Sequence, residues 1–276
     1  MSDSITRCNR KISVDRKVLD VQLVAVMAEK VFKLFSGVGR MVDSVIFYGN
    51  IIPLDRDNHR DFALDIDDDR FGFSAGSHIV PAVFDEFVAA APHIPIVFLP
   101  GVNAPVPVFL VGLRAGKNVL VSAEGRWLGN YIPAYVRRYP LMFGEIEGRA
   151  PITCIDSAYT LPKGKSGARI FTDEGEEMPI LVERIRLMNE FFLAAKRGES
   201  LVKTLIDLDL LRPVTIDAKF ESGETLALHG MLTVDPGRLD ELSDEDFLRL
   251  RRESLLPAIY AHISSLSCID AIRKLS

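Results

Sequence analysis

The sequence predicts an α+β fold, with a strand-rich first half forming an antiparallel meander and a helix-rich second half carrying a β-hairpin. Three observations lead there. Short β-favouring runs punctuated by glycine and proline crowd residues 92–121. Long stretches with helical apolar spacing fill the chain after residue 178. Within that second half, Val214, Ile216, Ala218 and Phe220 alternate with polar residues, turn at Ser222-Gly223, and return through Leu226, Leu228, Leu232 and Val234.

The elements follow in order. Residues 1–44 read as an N-terminal extension with helical character, and residues 45–276 as one domain with a candidate sub-boundary near 160–168. In the extension Leu19, Leu23, Val26, Met27, Val31 and Leu34 recur at helical spacing. Residues 16–35 therefore offer a basic amphipathic face for peripheral contact with a membrane or partner, or for packing on the chain's own domain. Met41 is an alternative start. Val45–Tyr48 and Ile51–Pro53 are strand candidates, and residues 55–70 form a loop dense in aspartate. Val83–Ala91 is a short helix with Phe84, Phe87 and Val88 as its apolar side and Pro81 in its first turn. Ile96–Leu99, Val106–Leu113 and Asn118–Val121 supply the meander, the first at an edge or a strand start because prolines flank it.

Tyr131–Phe143 is expected to be helical from Pro133, and Ile152–Ile155 extended. Pro179–Lys196 and Glu199–Leu210 read as two helices. Asp235-Pro236 and Ser243 with Asp246 are helix-start signals, opening helices at 244–252 and 255–266.

The chain has 276 residues, 48% hydrophobic and 26% charged, which excludes a disordered chain, a collagen and a coiled-coil rod. Its net charge of −5 argues against general nucleic-acid binding, which needs a concentrated basic face. Residues 1–40 are nonetheless basic, with eight Lys and Arg against four Asp and Glu. No window approaches the about 20 apolar residues of a membrane span. Three cysteines form no disulfide framework and fit a reducing, cytoplasmic compartment. A leader built from the basic Arg7–Lys17 and the apolar Val18–Ala28 would be atypical, because Asp20 interrupts it.

The chemical motifs are incomplete. Gly164-Lys165-Ser166 ends like a phosphate-binding loop, but Tyr159 stands where the first glycine belongs. Asp65–Asp69 has calcium-like spacing, yet Arg70 and Gly76 occupy the sixth and twelfth places of an EF-hand, leaving an irregular cation site or a solvated acidic loop. The five histidines show no zinc spacing. No metal and no cofactor is therefore expected. His78, within Ser74–Pro81, is the candidate general base of an enzymatic reading, set against a histidine bonded in a tight turn.

The densest functional-looking segment runs from Gly125 to Pro140. It holds the single tryptophan and three of the six tyrosines. Arg126, Trp127, Tyr131, Tyr135, Arg137, Arg138 and Tyr139 combine large apolar area with directed donors, as interface anchors do. They are the candidate binding residues for a protein, a peptide or an anionic ligand, set against a structural segment whose arginines pair with the acidic loop.

These stretches also carry a resemblance. Ser74–Pro81, Pro95–Phe98, Gly125–Trp127 with Tyr131–Pro140, Leu208–Leu211 and Ile259–His262 with Ser265-Leu266 resemble the SapC family, proteins associated with bacterial surface layers. The likeness covers about Val45 to Cys268. It implies a soluble accessory in surface-layer or outer-membrane-related assembly or export, and it supplies no catalytic residues. The membrane permease that shares the name is a different protein. The alternative reading is a small-molecule enzyme, with His78 as base and Arg126, Arg137 or Arg138 holding an anion.

Overall fold

The computed structural model describes residues 45–67, 69–144, 150–161, 164 and 166–276. The amphipathic stretch 16–35, the alternative start and Cys8 lie outside them. The element types are those of an α+β protein, with antiparallel sheets dominating the first half and helices the second.

Five strands make the main sheet, in the order β3 (Ile79–Pro81), β5 (Val106–Leu110), β4 (Ile96–Leu99), β10 (Thr225–Val234) and β9 (Leu211–Lys219). A second sheet joins β1 (Ile51–Pro53), β7 (Ile152–Asp156) and β6 (Leu141–Gly144), and β2 (Ala63–Asp65) pairs with β8 (Gly167–Arg169). Every pairing is antiparallel. The proposed boundary at 160–168 runs partly outside the described residues and ends in β8, hydrogen-bonded to β2.

The late hairpin forms where the alternation predicts it. Ile216, Ala218 and Phe220 are buried while Thr215, Asp217 and Lys219 are exposed. Gly223 turns the chain at φ +83°. Gly230, at φ +79°, absorbs the register shift between Leu228 and Met231, a backbone position that L side chains resist.

Several local expectations fail for identifiable reasons. Val45–Tyr48 is a turn, closed by the Tyr48 amide donating to the Val45 carbonyl at 3.2 Å, with Phe47 at φ +79°. An apolar run alone does not distinguish a buried turn from a strand. Ile96–Leu99 is the central strand of the main sheet, not an edge. Its flanking Pro95 and Pro100 sit just outside the ladder, so no hydrogen bond of the sheet is lost. Asn118–Val121 stays out of the sheet and makes one bridge, Val121 to Trp127. Gly112 lets it pass: a Cβ there would lie 1.9 Å from the Lys117 carbonyl oxygen.

Pro81 belongs to β3, and the following helix is a 3₁₀ turn, Phe84–Glu86, running into α1 (Phe87–Ala90). Val88 points outward, 59% exposed. The helix expected over Tyr131–Phe143 shrinks to α2 (Ala134–Arg137), since a residue before proline avoids the α region and Pro140 follows closely. Leu141 onward becomes β6.

In the second half, the two helices expected at 179–210 are one, α3 (Pro179–Asp207), 29 residues long. Gly198 costs a helix about 1 kcal/mol relative to alanine. Packing outweighs it: Ala194, Ala195, Gly198 and Val202 continue the buried stripe, and Gly198 leaves space for the Phe84 ring. After the hairpin come α4 (Pro236–Asp240), α5 (Asp244–Arg252), α6 (Leu256–Ser265) and α7 (Ile269–Leu275). Asp235 caps α4 by accepting from the Gly237 amide, and Ser243 caps α5 by accepting from the Asp246 amide. No single helix among the described residues is long and apolar enough to cross a membrane.

Candidate functional site

Two places compete for the role. The first is the aromatic and arginine segment singled out from the sequence. Its members divide by burial. Arg126 is exposed, Trp127, Tyr131, Arg137 and Tyr139 are half-buried, and Tyr135 and Arg138 are buried. Polar groups of the half-buried members are committed internally. The Trp127 indole N–H donates to the Tyr131 carbonyl at 2.8 Å. The Tyr131 hydroxyl donates to Glu86 Oε1 at 2.6 Å, and the Ala134 amide donates to the same oxygen at 2.7 Å. Arg137 Nε donates to the Ile132 carbonyl. The Tyr139 hydroxyl donates to Asp156 Oδ2, and its ring stacks on Phe73 with centroids 4.0 Å apart.

Tyr135 is the centre of the segment. It is fully enclosed, in edge contact with Phe47 at 5.6 Å and Phe191 at 5.9 Å. The Arg138 guanidinium lies 3.9 Å from its ring centroid, with Phe191 and Tyr48 completing an aromatic surround. Arg138 Nε and Nη2 are buried and have no hydrogen-bond partner among the described residues. Cation–π attraction to several rings offsets part of the desolvation cost of such a charge. Within the aspartate-rich loop, Asp57 pairs with Arg60, Asp61 with Arg169 and Asp69 with Arg70.

Two buried carboxylates organise this region, and neither stood out in the sequence. Burial pushes Glu86 above its ordinary carboxyl range, against the opposing hydrogen bonds from Tyr131 and Ala134. Its Oε2 is buried and has no hydrogen-bond partner among the described residues. Asp156 accepts from the amides of Gly49, Asn50 and Ala158, tying the entry of the described chain to the end of β7. An acid at the end of a strand or inside a short helix carries no sequence mark of burial. The partners that enclose it come from distant segments.

His78 is buried, and its Nδ1 accepts a long hydrogen bond from the Gly116 amide at 3.4 Å. Burial depresses its pKa. No hydrogen bond, ion pair or ring contact between described residues joins it to Arg126, Arg137 or Arg138. No group of three metal-capable side chains comes together among the described residues.

The second place is a pocket of about 300 Å³ that the sequence reading did not identify. Its floor is Ala82, Val83 and Phe84, one wall is the 103–107 loop, and the other is the stripe Ala194, Ala195, Gly198 and Val202 of α3. Asn103, Lys196 and Glu199 are the only lining residues with polar side chains. Such a cavity matches apolar groups ending in a polar head, and it lies at the small end of ligand sites. Its side chains include no serine, cysteine or histidine to act as a nucleophile.

Fold and site thus define an α+β architecture with a compact, largely apolar pocket and a densely packed aromatic core. The SapC family model matches residues 54–272, and the chain belongs to the SapC family. No curated protein and no solved structure matches it.

Proposed function

We propose that this chain is an accessory binding protein that captures an apolar segment of a protein partner in the pocket between the 103–107 loop and α3. The carrying observation is the lining: small apolar side chains around a pocket of about 300 Å³, with Asn103, Lys196 and Glu199 as its polar residues. That volume suits a few aliphatic side chains, and the polar residues suit the backbone or charged ends that flank them. Assembly or export of a surface-layer or outer-membrane-related protein is the setting that the family name suggests. Of the aromatic and arginine segment, Arg126 and the accessible edge of Trp127 are the parts open to an incoming chain, while Tyr135 and Arg138 serve the interior.

Selection of displayed random peptides on the immobilised protein tests this reading. Enriched peptides are expected to carry clustered aliphatic or aromatic residues. Ala195→Trp, which fills the pocket, is expected to abolish their capture with no change in circular dichroism. Asn103→Trp, at the exposed rim, provides a second block that leaves the core untouched. Undiminished capture by both folded variants removes the proposal.

A further inference from the structure

The pocket walls extend into exposed apolar surface. Val102, on the loop that forms one wall, is 68% exposed, and Leu193, on α3 beside the other, is 56% exposed. The chain also possesses a segment of matching chemistry outside the described residues. Leu19, Leu23, Val26, Met27, Val31 and Leu34 recur at helical spacing, and aliphatic side chains at this spacing are what a groove-bound helix inserts.

Charge favours the same pairing. Residues 1–40 carry eight basic and four acidic side chains, whereas residues 45–276 carry 25 basic and 33 acidic. The excess of opposite sign draws the segment toward its own domain.

Reach is sufficient as well. The described chain begins at Val45, and Phe47 packs on Tyr135, which packs in turn on Phe191 of α3. Phe191 is one helical turn from Ala194 and Ala195 in the pocket wall. The ten residues between Leu34 and Val45 span up to about 35 Å when extended. The segment thus joins the described chain two ring contacts away from the helix that carries the pocket.

We infer that the stripe from Leu19 to Leu34 occupies the pocket of its own chain and competes there with the partner's apolar segment. This inference rests on the pocket being the binding site, as proposed above. A tethered occupant acts at the high local concentration set by its linker, so an external ligand binds only the fraction of molecules in which the pocket is open.

The test uses the full chain expressed from Met1 and the apolar dye anilinonaphthalene sulfonate. Leu23→Asp combined with Met27→Asp is expected to raise dye affinity roughly tenfold, as the open fraction rises toward one. Adding Ala195→Trp to that double variant is expected to abolish the gain. A photo-crosslinker replacing Val26 is expected to label residues 102–107 or 194–202 of the same molecule. Equal dye affinity with and without the aspartates, both lost on Ala195→Trp, overturns the internal occupant and leaves the pocket standing. Dye binding indifferent to Ala195→Trp removes both readings. Crosslinks to a second copy assign the occupant to a neighbouring molecule and overturn the inference as stated.

Discussion

The segment from Arg126 to Tyr139 and the pocket beside α3 teach opposite lessons about what a residue type reveals. The segment is rich in tryptophan, tyrosine and arginine, the side chains that anchor interfaces. Yet Tyr135 and Arg138 are buried, and the half-buried members donate to Glu86, Asp156 and nearby backbone carbonyls. The pocket is lined mostly by alanine, valine, proline and glycine, which attract no notice in a sequence, yet these small side chains leave an open volume of about 300 Å³. Aromatic and guanidinium groups serve interiors and interfaces alike, because both demand large area and directed donors. What separates the two uses is whether the donors still have free partners.

Four substitutions sharpen this contrast, in falling order of effect. Tyr135→Ala should destabilise the protein by about 3–5 kcal/mol, since it removes a fully enclosed ring and its contacts with Phe47, Phe191 and Arg138. Urea denaturation measures this, and an unchanged midpoint would return Tyr135 to the surface role that its residue type suggests. Arg138→Met should raise stability by roughly 1–3 kcal/mol. A buried guanidinium with unbonded Nε and Nη2 gives way to an apolar chain, and the relief of desolvation exceeds the lost cation–π attraction. A lowered midpoint would show that the aromatic surround more than offsets the charge.

Glu86→Gln tests the buried carboxylate through pH. Because burial raises the Glu86 pKa above its ordinary 4.5, its contribution to stability is complete below that value. The contribution is lost as pH rises through the raised value. The glutamine variant does not titrate there and keeps the acceptor for Tyr131 and Ala134. Its stability relative to the parent should therefore climb from acid to neutral pH, and a constant difference across that range would contradict the assignment. Gly198→Ala is the smallest change. A Cβ there meets Phe84 at an ordinary 3.5 Å, so the helix should gain roughly 0.5–1 kcal/mol while the pocket floor tightens. A loss of stability would show that Phe84 has no freedom to accommodate one methyl group.

Much of the local fold was legible because it is written in short-range patterns. The alternation over Val214–Phe220, the caps at Asp235 and Ser243, and the spacing along α3 each imply a backbone conformation directly. The misread elements share a different cause. Val45–Tyr48 and Asn118–Val121 are β-favouring runs held as turn and loop by partners elsewhere: Tyr48 donates its hydroxyl to the Leu141 carbonyl, and the Asn118 amide donates to Ala75. The break expected between Lys196 and Glu199 does not form, because the stripe through Gly198 packs against Phe84. Pro140 was the available signal that the helix after Pro133 is short. For Glu86, Asp156 and the pocket no comparable signal exists in the sequence.

The sequence by itself determined the α+β class, the late hairpin, the capped helices and kinship with the SapC family, because period, caps and motif residues are local properties of the chain. Tertiary structure alone decided that Tyr135 and Arg138 face inward and that an apolar pocket opens between residues 82–84, 103–107 and 194–202. Enclosure and volume arise only when segments distant in sequence meet, and no single segment encodes the space left between them.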